Sequence, residues 1–291
     1  MPEANLTPIA YLEGHQRRAA TQATPFLKWA GGKSQLLATY AQFFPNKFHQ
    51  YYEPFVGAGA VFFRLGSLRP EMRATISDCN AELINCYETI KSDVNSVIEQ
   101  LRTYHNDEEL FYHIRALSPA KLTKPERAAR MIFLNKTCFN GLYRVNSKGQ
   151  FNVPFGRYKN PRICDEENLL AVSSRLSKVK VLHSSFQHVL EKADKGDFVY
   201  FDPPYVPLTN TANFTSYTEN CFGLNEQRLL ADAFRTLDQR GCYVMLSNSD
   251  TKIVRDLYRD FYVNRVKATR AINCHADKRG QISELLVTNY R

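Results

Sequence analysis

The sequence has no long hydrophobic run and no closely paired cysteines. Nothing in its 291 residues approaches the roughly 18 consecutive apolar residues that span a membrane, so we expect no membrane contact. The amino-terminal stretch contains acids and lacks an apolar core behind a basic start, so it is not predicted to be a signal peptide. The seven cysteines are odd in number, scattered and without a C-x-x-C pair. This pattern disfavours a metal cluster or a disulfide framework and favours reduced thiols in the cytoplasm.

Acidic residues are nearly absent from one segment. Residues 121–162 hold one acid, Glu126, and ten basic residues, a net charge of +9 that equals the charge of the whole chain. Phe, Tyr, Asn and Gly are interleaved with them. A solvated basic face would explain the charge alone, but this mixture is more typical of a surface that binds a polyanion. The basic residues are Lys121, Lys124, Arg127, Arg130, Lys136, Arg144, Lys148, Arg157, Lys159 and Arg162.

Seven apolar runs alternate with amphipathic helical stretches along most of the chain. Continuous apolar strands separated by helices predict an α/β fold with a doubly wound, mostly parallel sheet, to which the last two runs add an antiparallel edge. The alternation fails between about residues 91 and 165, where helices precede a strand–turn–strand and a loop, and this predicts an insertion. The predicted strands are residues 51–56, 74–78, 179–185, 197–202, 241–249, 261–268 and 282–290.

A glycine-containing turn, within YYEPFVGAGA (51–60), follows the first predicted strand. Gly57 and Gly59 allow a ligand to approach the backbone closely. The dinucleotide fingerprint requires a further glycine at position 62, where the chain has Phe62, so a pyrophosphate cradle is disfavoured. Asp78 ends the next strand, and its carboxylate is suited to accept hydrogen bonds from ribose hydroxyls. Capping the helix that follows is an alternative role for Asp78, compatible with the first.

A second glycine-containing stretch, PFLKWAGGKSQLL (25–37), imitates a phosphate-binding loop. A Walker A motif requires glycine at position 27, where the chain has Leu27, and no convincing strand precedes it, so a nucleoside triphosphate site is disfavoured. The only tryptophan, Trp29, is close in sequence to Lys28 and Lys33. An aromatic face near ammonium groups suits a planar ligand that carries a carboxylate. Filling the core is an equally acceptable role for Trp29.

The stretch FVYFDPPYVP (198–207) ends a buried strand at a rigid corner. It places Asp202, Pro203, Pro204 and Tyr205 at the edge where open α/β sheets bind ligands. Proline lacks an N–H group and fixes φ, so the Pro203 carbonyl is expected to stay free beside the Asp202 carboxylate. Tyr205 offers a stacking face. Two acceptors and a ring suit the exocyclic amine of a flat heterocycle, and they favour its tetrahedral, nucleophilic geometry.

These motifs together resemble the Dam-type, GATC-specific DNA adenine-N6 methyltransferases of the alpha group. The resemblance rests on FLKWAGGK, EPFVGAG with Asp78, FNGLYRVNSKGQFNVPFGRYKNP (139–161), DPPY, LSNS (246–249) and SELLVTNY (283–290), and it begins near Pro25. It implies a Rossmann-like methyltransferase with an inserted, mainly helical DNA-recognition domain that contains a β-hairpin. The implied parts are a leader at 1–24, a catalytic domain at 25–80 and 166–291, and a target-recognition domain at 81–165.

The resemblance also implies the ligands and their sites. S-adenosylmethionine would be the methyl donor, no metal would be needed, and a monomeric prokaryotic or phage enzyme would act on double-stranded DNA. The implied catalytic residues, around a flipped adenine, are Asp202, Pro203, Pro204 and Tyr205. The implied donor site consists of Trp29, Lys33, Phe55, Gly57, Gly59, Asp78 and Asp202.

The basic hairpin is the predicted reader of the DNA sequence. In LYRVNSKGQFNV, strand alternation puts Leu142, Arg144 and Asn146 on one face. Arginine is suited to guanine O6 and N7, and asparagine to adenine N6 and N7. Contact with phosphates or water alone is the alternative for these side chains. The resemblance adds Phe139 as a wedge at the extruded base, Lys28 beside the flanking base pair and Arg157 on a phosphate. The full predicted DNA-binding set is Lys28, Phe139, Asn140, Leu142, Arg144, Asn146 and Arg157.

Other functions fit parts of the pattern less well. Cytosine-C5 methylation needs a cysteine nucleophile, commonly in a Pro-Cys pair, and the sequence has no such pair. Enzymes that resemble this chain but methylate cytosine N4 more often carry Ser at the position of Asp202, and those acting on RNA bases or protein glutamine more often carry Asn. A non-catalytic DNA-binding module would not need an intact donor site. The sequence therefore predicts methyl transfer to adenine N6 in DNA, with GATC as the target.

Overall fold

The seven predicted strands form a single sheet. The computed structural model of the protein describes residues 22–206, 222–269 and 281–291. In chain order the strands are β1 (Gln50–Glu53), β2 (Arg73–Asp78), β3 (Val179–His183), β4 (Phe198–Phe201), β5 (Tyr243–Ser249), β6 (Tyr262–Thr269) and β7 (Gln281–Thr288). They are arranged in the order β3-β2-β1-β4-β5-β7-β6. β1 to β5 pair in parallel, and β7 runs antiparallel to both of its neighbours.

This arrangement confirms the predicted doubly wound, mostly parallel sheet with an antiparallel edge. The strand ends differ from the prediction by a few residues. β1 stops at Glu53, three residues early, because Pro54 has no N–H group to extend the ladder. β4 stops at Phe201, so Asp202 and Pro203 lie in the loop beyond the sheet rather than in the strand.

Helices cover the sheet and build the inserted segment. They are α1 (Leu37–Tyr40), α2 (Ala60–Leu68), α3 (Ala81–Arg102), α4 (Glu108–Ala116), α5 (Lys124–Thr137), α6 (Glu166–Leu176), α7 (Val189–Lys192), α8 (Leu224–Arg240) and α9 (Lys252–Leu257). Helix α3 has a break at Asp93, whose φ is −153°. The Asp93 carboxylate accepts a hydrogen bond from the Ser96 N–H group, which restarts the helix after the break.

Side chains alternate along the central strand between two hydrophobic cores. On β4, Phe198 and Tyr200 belong to one cluster, whereas Val199 and Phe201 belong to the other, and all four are fully buried. A strand that is apolar on both faces is therefore the sequence signature of a sheet covered on both sides. The packed sheet gives the loops at its carboxyl edge a rigid support.

Helix α3 joins the sheet to the inserted segment. One face of this helix, formed by Leu83, Ile84, Tyr87 and Ile90, is buried. The helix contacts β2, β3 and α6 on one side and α5 on the other. The core cluster on this side of the sheet continues through the inserted helices, where it includes residues such as Phe133. The inserted helix α5 thus packs against α3, which in turn packs against the sheet.

The predicted strand–turn–strand of the insertion is a short hairpin. One antiparallel bridge joins Val145 to Phe151, and no longer ladder forms there. The Asn146 side chain accepts hydrogen bonds from the N–H groups of Lys148 and Gln150, each at 3.0 Å. Gly149 lies in the left-handed region with φ of +72°. Asn146 therefore has a structural role, shaping this turn, in addition to its predicted contact with DNA.

Three other sequence predictions concern features outside the sheet. The predicted leader, residues 1–24, lies outside the described residues except for its last three, and Thr24 is bound by its backbone to the Asn168 side chain of α6. Among the described helices, none is long and apolar enough to cross a membrane. Cys86, Cys138, Cys164 and Cys242 form no disulfide among the described residues, and Cys221 and Cys274 fall outside the described ranges.

Candidate active site

The carboxyl ends of β1, β2 and β4 meet at one edge of the sheet. β1 lies between β2 and β4, so the connections that leave these strands diverge on either side of it. Open α/β sheets bind their ligands at such a switch point. Gly57 and Asp202 lie in the loops that follow β1 and β4, and Asp78 is the last residue of β2, so three residues far apart in sequence lie at this edge. The fold therefore brings three of the predicted motifs together.

Gly57 and Asp78 form one half of the site. The Gly57 N–H group donates to Asp78 Oδ2 at 3.2 Å, and the Tyr87 hydroxyl donates to the Gly57 carbonyl at 3.0 Å. Burial raises the pKa of Asp78. The alternative role of Asp78 as a helix cap is wrong, because Asn80 caps α3 by accepting from the Leu83 N–H group. The second carboxylate oxygen of Asp78 instead accepts from the Asn80 N–H group at 3.0 Å.

Two glycines of this half are required by the space around them. Gly57 has φ of +47°, and a Cβ atom there would lie 2.8 Å from the Cδ1 atom of Trp29. Gly59 has φ of +71°, and its Cβ would lie 2.9 Å from the Tyr87 hydroxyl. A side chain at either position would be both strained and obstructed. The glycines therefore allow Trp29 and Tyr87 to pack directly against the backbone of this turn.

Trp29 lies between the glycine turn after β1 and Tyr143 of the inserted segment. Its ring stacks on Tyr143 with centroids 5.4 Å apart and planes inclined by 24°. The ring is half-buried and also packs against the main core. Both roles considered for Trp29 are thus compatible with its position, since one part of the side chain packs inward while another lies against Gly57.

An aromatic wall lies next to the glycine turn. The Phe55 ring stacks on Phe186 at 5.6 Å and meets Phe222 edge-on at 5.3 Å. Phe201, from the end of β4, packs against both Phe55 and Phe186. Phe55 is half-buried, whereas Phe186, Phe201 and Phe222 are buried, so Phe55 is the ring of this wall that stays partly accessible to a planar ligand. Phe55 was predicted to contact the donor, whereas Phe186 and Phe222 were not identified from the sequence.

Asp202 is held from two sides. Lys33 Nζ lies 2.8 Å from Asp202 Oδ2, and the Ser247 hydroxyl donates to Asp202 Oδ1 at 2.6 Å. The Lys33 ammonium also contacts the Gly31 carbonyl and lies 4.8 Å from the centre of the Tyr205 ring. Lys33 is only 3% exposed, so this ion pair is shielded from solvent. The orientation of the Asp202 carboxylate is therefore set by Lys33 and Ser247, two residues that are distant from it in sequence.

The two prolines after Asp202 differ in their surroundings. The Pro204 carbonyl accepts a hydrogen bond from the Gln227 side chain at 2.9 Å. For the Pro203 carbonyl, the described part of the chain supplies no hydrogen-bond donor, as the sequence predicted. The Tyr205 hydroxyl donates to Glu284 Oε2 at 2.8 Å. Burial, followed by the negative charge of Asp202, raises the pKa of Tyr205, so this phenol stays protonated as a donor.

A buried carboxyl group lies below the site. Glu53, at the end of β1, is 3% exposed and accepts a hydrogen bond from the Tyr51 hydroxyl at 2.7 Å. Burial raises the pKa of Glu53 to about 8, and the charge of Asp202 adds to the rise. Glu53 is therefore mainly neutral at neutral pH. The net charge near Asp202 is consequently less negative than the number of carboxyl groups suggests.

We expect Glu53 to make the protein less stable as the pH rises. The pKa of Glu53 is about 8 in the folded protein and near 4.5 in the unfolded chain. Between these two pH values the folded protein keeps a proton on Glu53 that the unfolded chain releases. The free energy of unfolding should fall by up to about 1.4 kcal/mol per pH unit across the window and then level off. Urea denaturation at pH 5 and pH 8 measures this change, and Glu53→Gln should reduce it. The exposed Glu88→Gln serves as the control, and an equal pH response in all three proteins would contradict the assignment.

The predicted DNA-binding residue Lys28 lies against the inserted segment. The Asn135 side chain accepts from the Lys28 N–H group at 2.8 Å and donates to the Lys28 carbonyl at 2.8 Å and to the Gly141 carbonyl at 3.0 Å. The Lys28 side chain occupies the space where a Cβ atom at Gly141 would lie, and its ammonium faces the Tyr158 ring at 4.8 Å. Asn135 thus joins the loop before Trp29 to the loop after Phe139.

The other predicted DNA-binding residues lie on the same segment but differ in exposure. Phe139 is 47% exposed, and Asn140 has φ of +54°. Arg144 is exposed and its Nε atom donates to Asn152 Oδ1 at 2.7 Å. Leu142 is half-buried and packs against the core, so it does not share the exposure of Arg144 and Asn146 that strand alternation predicted.

Several basic residues of segment 121–162 are paired with acids or buried in the fold. Arg157 pairs with Glu108 at 3.2 Å on the surface and has φ of +53°. Arg130 is buried, and its guanidinium donates to the carbonyls that end α4, while Arg127 pairs with Glu82. Two of the ten basic residues therefore maintain the fold. The remaining eight are exposed or half-buried and can form the basic face.

Three polar residues of the site were not identified individually from the sequence. They are Asn135, Ser247 and Glu284, whose partners lie 107, 45 and 79 residues away in sequence. Ser247 and Glu284 lie within the LSNS and SELLVTNY blocks, which carried the family resemblance but no assigned role. For Ser247 and Glu284, the available sequence signal was a polar side chain within an otherwise apolar strand.

The fold and the site define a class of protein. A sheet of this order, with a glycine turn after β1 and acidic residues after β2 and β4, is the arrangement of a Rossmann-like methyltransferase. The sequence model described as D12 class N6 adenine-specific DNA methyltransferase matches residues 29–272. The chain belongs to this family.

Relatives of known name support the assignment over nearly the whole chain. The type II methyltransferase M1.LlaDCHI of Lactococcus lactis subsp. cremoris is 43% identical over 274 residues, covering 91% of this chain and 95% of the relative. The type II methyltransferase M.MjaIII of Methanocaldococcus jannaschii is 45% identical over 288 residues, covering 92% and 100%. A DNA adenine methylase of Haemophilus influenzae is 38% identical over 268 residues, covering 90% and 92%. The chain is therefore an adenine-specific DNA methyltransferase.

S-adenosylmethionine is the methyl donor of such an enzyme, and the residues present fit it. The Lys33 ammonium matches a carboxylate, the Asp78 carboxylate matches hydroxyl donors, and Phe55 and Phe222 provide an apolar wall for a purine. Membership of an adenine-specific DNA methyltransferase family excludes the alternatives in which cytosine, RNA or protein is the substrate. It also excludes the alternative of a non-catalytic DNA-binding module. Among the described residues, no group of three or more His, Cys, Asp or Glu could hold a metal ion.

Proposed function

We propose that the enzyme binds double-stranded DNA as a cytoplasmic monomer, extrudes the adenine of GATC and methylates its N6 atom. The observation that carries the proposal is the pair of acceptors after β4, the Asp202 carboxylate and the Pro203 carbonyl, beside the Tyr205 ring. These groups lie in a loop at the edge of the sheet. A base stacked inside a duplex cannot reach them, so it must leave the stack.

The chain's groups then act on the acceptor amine. Asp202 and the Pro203 carbonyl accept hydrogen bonds from N6, which draws its lone pair out of conjugation and stabilises the positive charge that develops there. The N6 lone pair forms a bond to the methyl carbon while the carbon–sulfur bond breaks, and that bond's electron pair remains on sulfur. The extra N6 proton leaves to solvent past Asp202. The sulfonium of S-adenosylmethionine supplies a good leaving group, so positioning is the main contribution of the protein.

The donor would be held by the other half of the site. Lys33 would bind its carboxylate, Asp78 would accept from ribose hydroxyls, and Phe55 and Trp29 would contact flat or apolar surfaces. Gly57 and Gly59 would allow the close approach. Lys33 contacts Asp202 in this structure, so binding of the donor carboxylate would share an ammonium that otherwise lies on the acceptor side.

The hairpin segment would read the sequence. Phe139 is exposed beside the loop that Asn135 ties to Lys28, and this supports its role as a wedge next to the extruded base. Arg144 and Asn146 would reach base edges, with Asn140 and Leu142 completing the surface. Arg157 would leave Glu108 for a phosphate. Extrusion costs a few kcal/mol of stacking and pairing, which these contacts would offset.

Transfer of a labelled methyl group to oligonucleotides tests the proposed reaction. Duplexes that contain GATC, the same duplexes scrambled and the GATC single strands are compared, and the products are digested to nucleosides. We expect label in N6-methyladenine from the GATC duplex alone. Equal labelling of scrambled duplexes would exclude GATC specificity, and label in cytosine would exclude adenine as the target.

We expect Arg144→Ala to weaken discrimination rather than chemistry. A bidentate arginine–guanine contact is worth about 1–3 kcal/mol, so the preference for GATC over a duplex with its guanine replaced should fall roughly 5- to 150-fold. The ratio of kcat/KM values for the two duplexes measures this preference. Lys148→Ala, in the same hairpin, is the control and should reduce both values equally. An unchanged ratio for Arg144→Ala would favour contact with phosphate or water alone.

A further inference from the structure

A set of polar side chains behind the DPPY loop remains unexplained by the reaction itself. Glu284, in β7, accepts hydrogen bonds at one carboxylate oxygen from the Tyr205 hydroxyl at 2.8 Å and from the Tyr40 hydroxyl at 3.3 Å. Tyr40 is fully buried. Glu284 pairs with Ser249 of β5 and Val266 of β6, so its backbone is fixed within the sheet. Its carboxylate is therefore a rigid acceptor for a residue of the loop.

A second chain of hydrogen bonds holds the other end of the same loop. The Ser247 hydroxyl donates to Asp202 and contacts the Tyr200 hydroxyl at 2.9 Å. Lys33 lies on the front of the loop, where it contacts both the Asp202 carboxylate and the Tyr205 ring. β5 thus fixes Asp202 and β7 fixes Tyr205. Two strands far from the motif in sequence set its geometry.

The hydrogen bond to Glu284 restricts the orientation of the Tyr205 ring. A tyrosine side chain in a loop can rotate about two torsions, and a ring that stacks on a base must adopt one orientation. A hydrogen bond from its far end to a fixed carboxylate selects that orientation before the base arrives. Hydrogen bonds to an ionised acceptor are also stronger than those between neutral groups. The conformational entropy of the Tyr205 side chain is then lost during folding and not during catalysis.

We propose that Glu284 is a positioning residue that orients the Tyr205 ring for stacking on the extruded adenine. This inference rests on the proposed function, because it requires a base that leaves the duplex. Glu284 touches neither base nor donor and acts through Tyr205. The role accounts for the acid in SELLVTNY, just as Ser247 accounts for the first serine of LSNS.

The test uses the full chain with 2-aminopurine in place of the target adenine, and kinetics on the natural duplex. Glu284→Ala should lower kcat about tenfold or more and leave the KM for S-adenosylmethionine within about twofold, since an orientation and not a binding contact is lost. The fluorescence of the 2-aminopurine complex should shift toward that of the Tyr205→Ala complex. Glu284→Gln keeps an acceptor oxygen and should recover most of both signals.

A second single variant keeps the inference testable if Glu284→Ala folds poorly, and it completes a double-mutant cycle if Glu284→Ala folds well. Tyr205→Phe removes the same hydrogen bond from the other side and keeps the ring, so it should reproduce the Glu284→Ala effects. The double variant should be no worse than either single one. Tyr262→Phe, which loses an exposed hydroxyl on β6, is the matched control and should behave as the wild type. Wild-type fluorescence and kcat in Tyr205→Phe would overturn the inference, as would additive losses in the double variant.

The same experiment separates failure of the inference from failure of the proposed function. If wild-type enzyme gives neither a 2-aminopurine signal nor labelled GATC, base extrusion and the target are wrong. If the wild type gives both signals and the Glu284 and Tyr205→Phe variants match it, the reaction stands and the positioning role is wrong.

Discussion

Asp202→Ala should reduce methyl transfer to GATC duplexes at least about 10²- to 10³-fold, the loss typical for removal of one preorganised group that stabilises developing charge. The substitution removes the carboxylate that lies next to the Pro203 carbonyl at the end of β4. It leaves the remaining acceptor without its neighbour, so the amine is neither oriented nor stabilised as it gains charge. Single-turnover measurement of labelled methyl transfer reports this step directly.

Folding must be checked for this variant, because Asp202 neutralises Lys33. Lys33 is 3% exposed, so removal of the Asp202 carboxylate leaves the Lys33 ammonium as an unpaired buried charge. Asp202→Asn keeps the shape and one acceptor oxygen, and it should be intermediate in rate. Asp232→Ala removes an exposed carboxylate on α8 and is the control. A folded Asp202→Ala enzyme with wild-type single-turnover rates would contradict the catalytic role of the carboxylate.

DNA affinity should fall steeply as salt rises. If about six of the eight available basic residues of segment 121–162 reach phosphates, counterion release predicts a loss of roughly 10³-fold in affinity between about 50 and 200 mM salt. Fluorescence anisotropy of a labelled GATC duplex, titrated at several salt concentrations, gives the slope of log affinity against log salt. Arg127 and Arg130 should not contribute to that slope, since they are committed to Glu82 and to the end of α4.

Single substitutions then map the phosphate contacts. Lys148→Ala should reduce the magnitude of the slope by about one if its ammonium meets a phosphate. Lys178→Ala, at a site 77% exposed and paired with Glu71, should leave the slope unchanged. A flat salt response of the wild type would show that the basic segment does not contact DNA.

Several features of the fold were accessible from local sequence alone. All seven strands were predicted within a few residues, because a strand buried on both faces needs a continuous apolar run and is bounded by turn residues. The motif corners were also correctly located, since Gly57 and Pro203 act through backbone properties that their residue types determine.

The predictions that were wrong or incomplete concern side-chain partners. Asp78 does not cap α3, because Asn80 is better placed at the first turn. Leu142 packs against the core and does not share a face with the exposed Arg144, because the hairpin forms only isolated bridges and no continuous ladder imposes strand alternation on Leu142. Both errors come from rules that treat a segment in isolation.

The sequence by itself determined the α/β class, the order of the motifs and the chemical character of the corner after β4, because these depend on residue types that are adjacent in the chain. Only the tertiary structure decided which groups hold that corner. Ser247 reaches Asp202 because β5 lies beside β4, and Glu284 reaches Tyr205 because β7 enters the sheet next to β5. Hydrogen bonds of this kind act over about 3 Å, and such proximity between distant residues is created by the strand order and not by any local pattern.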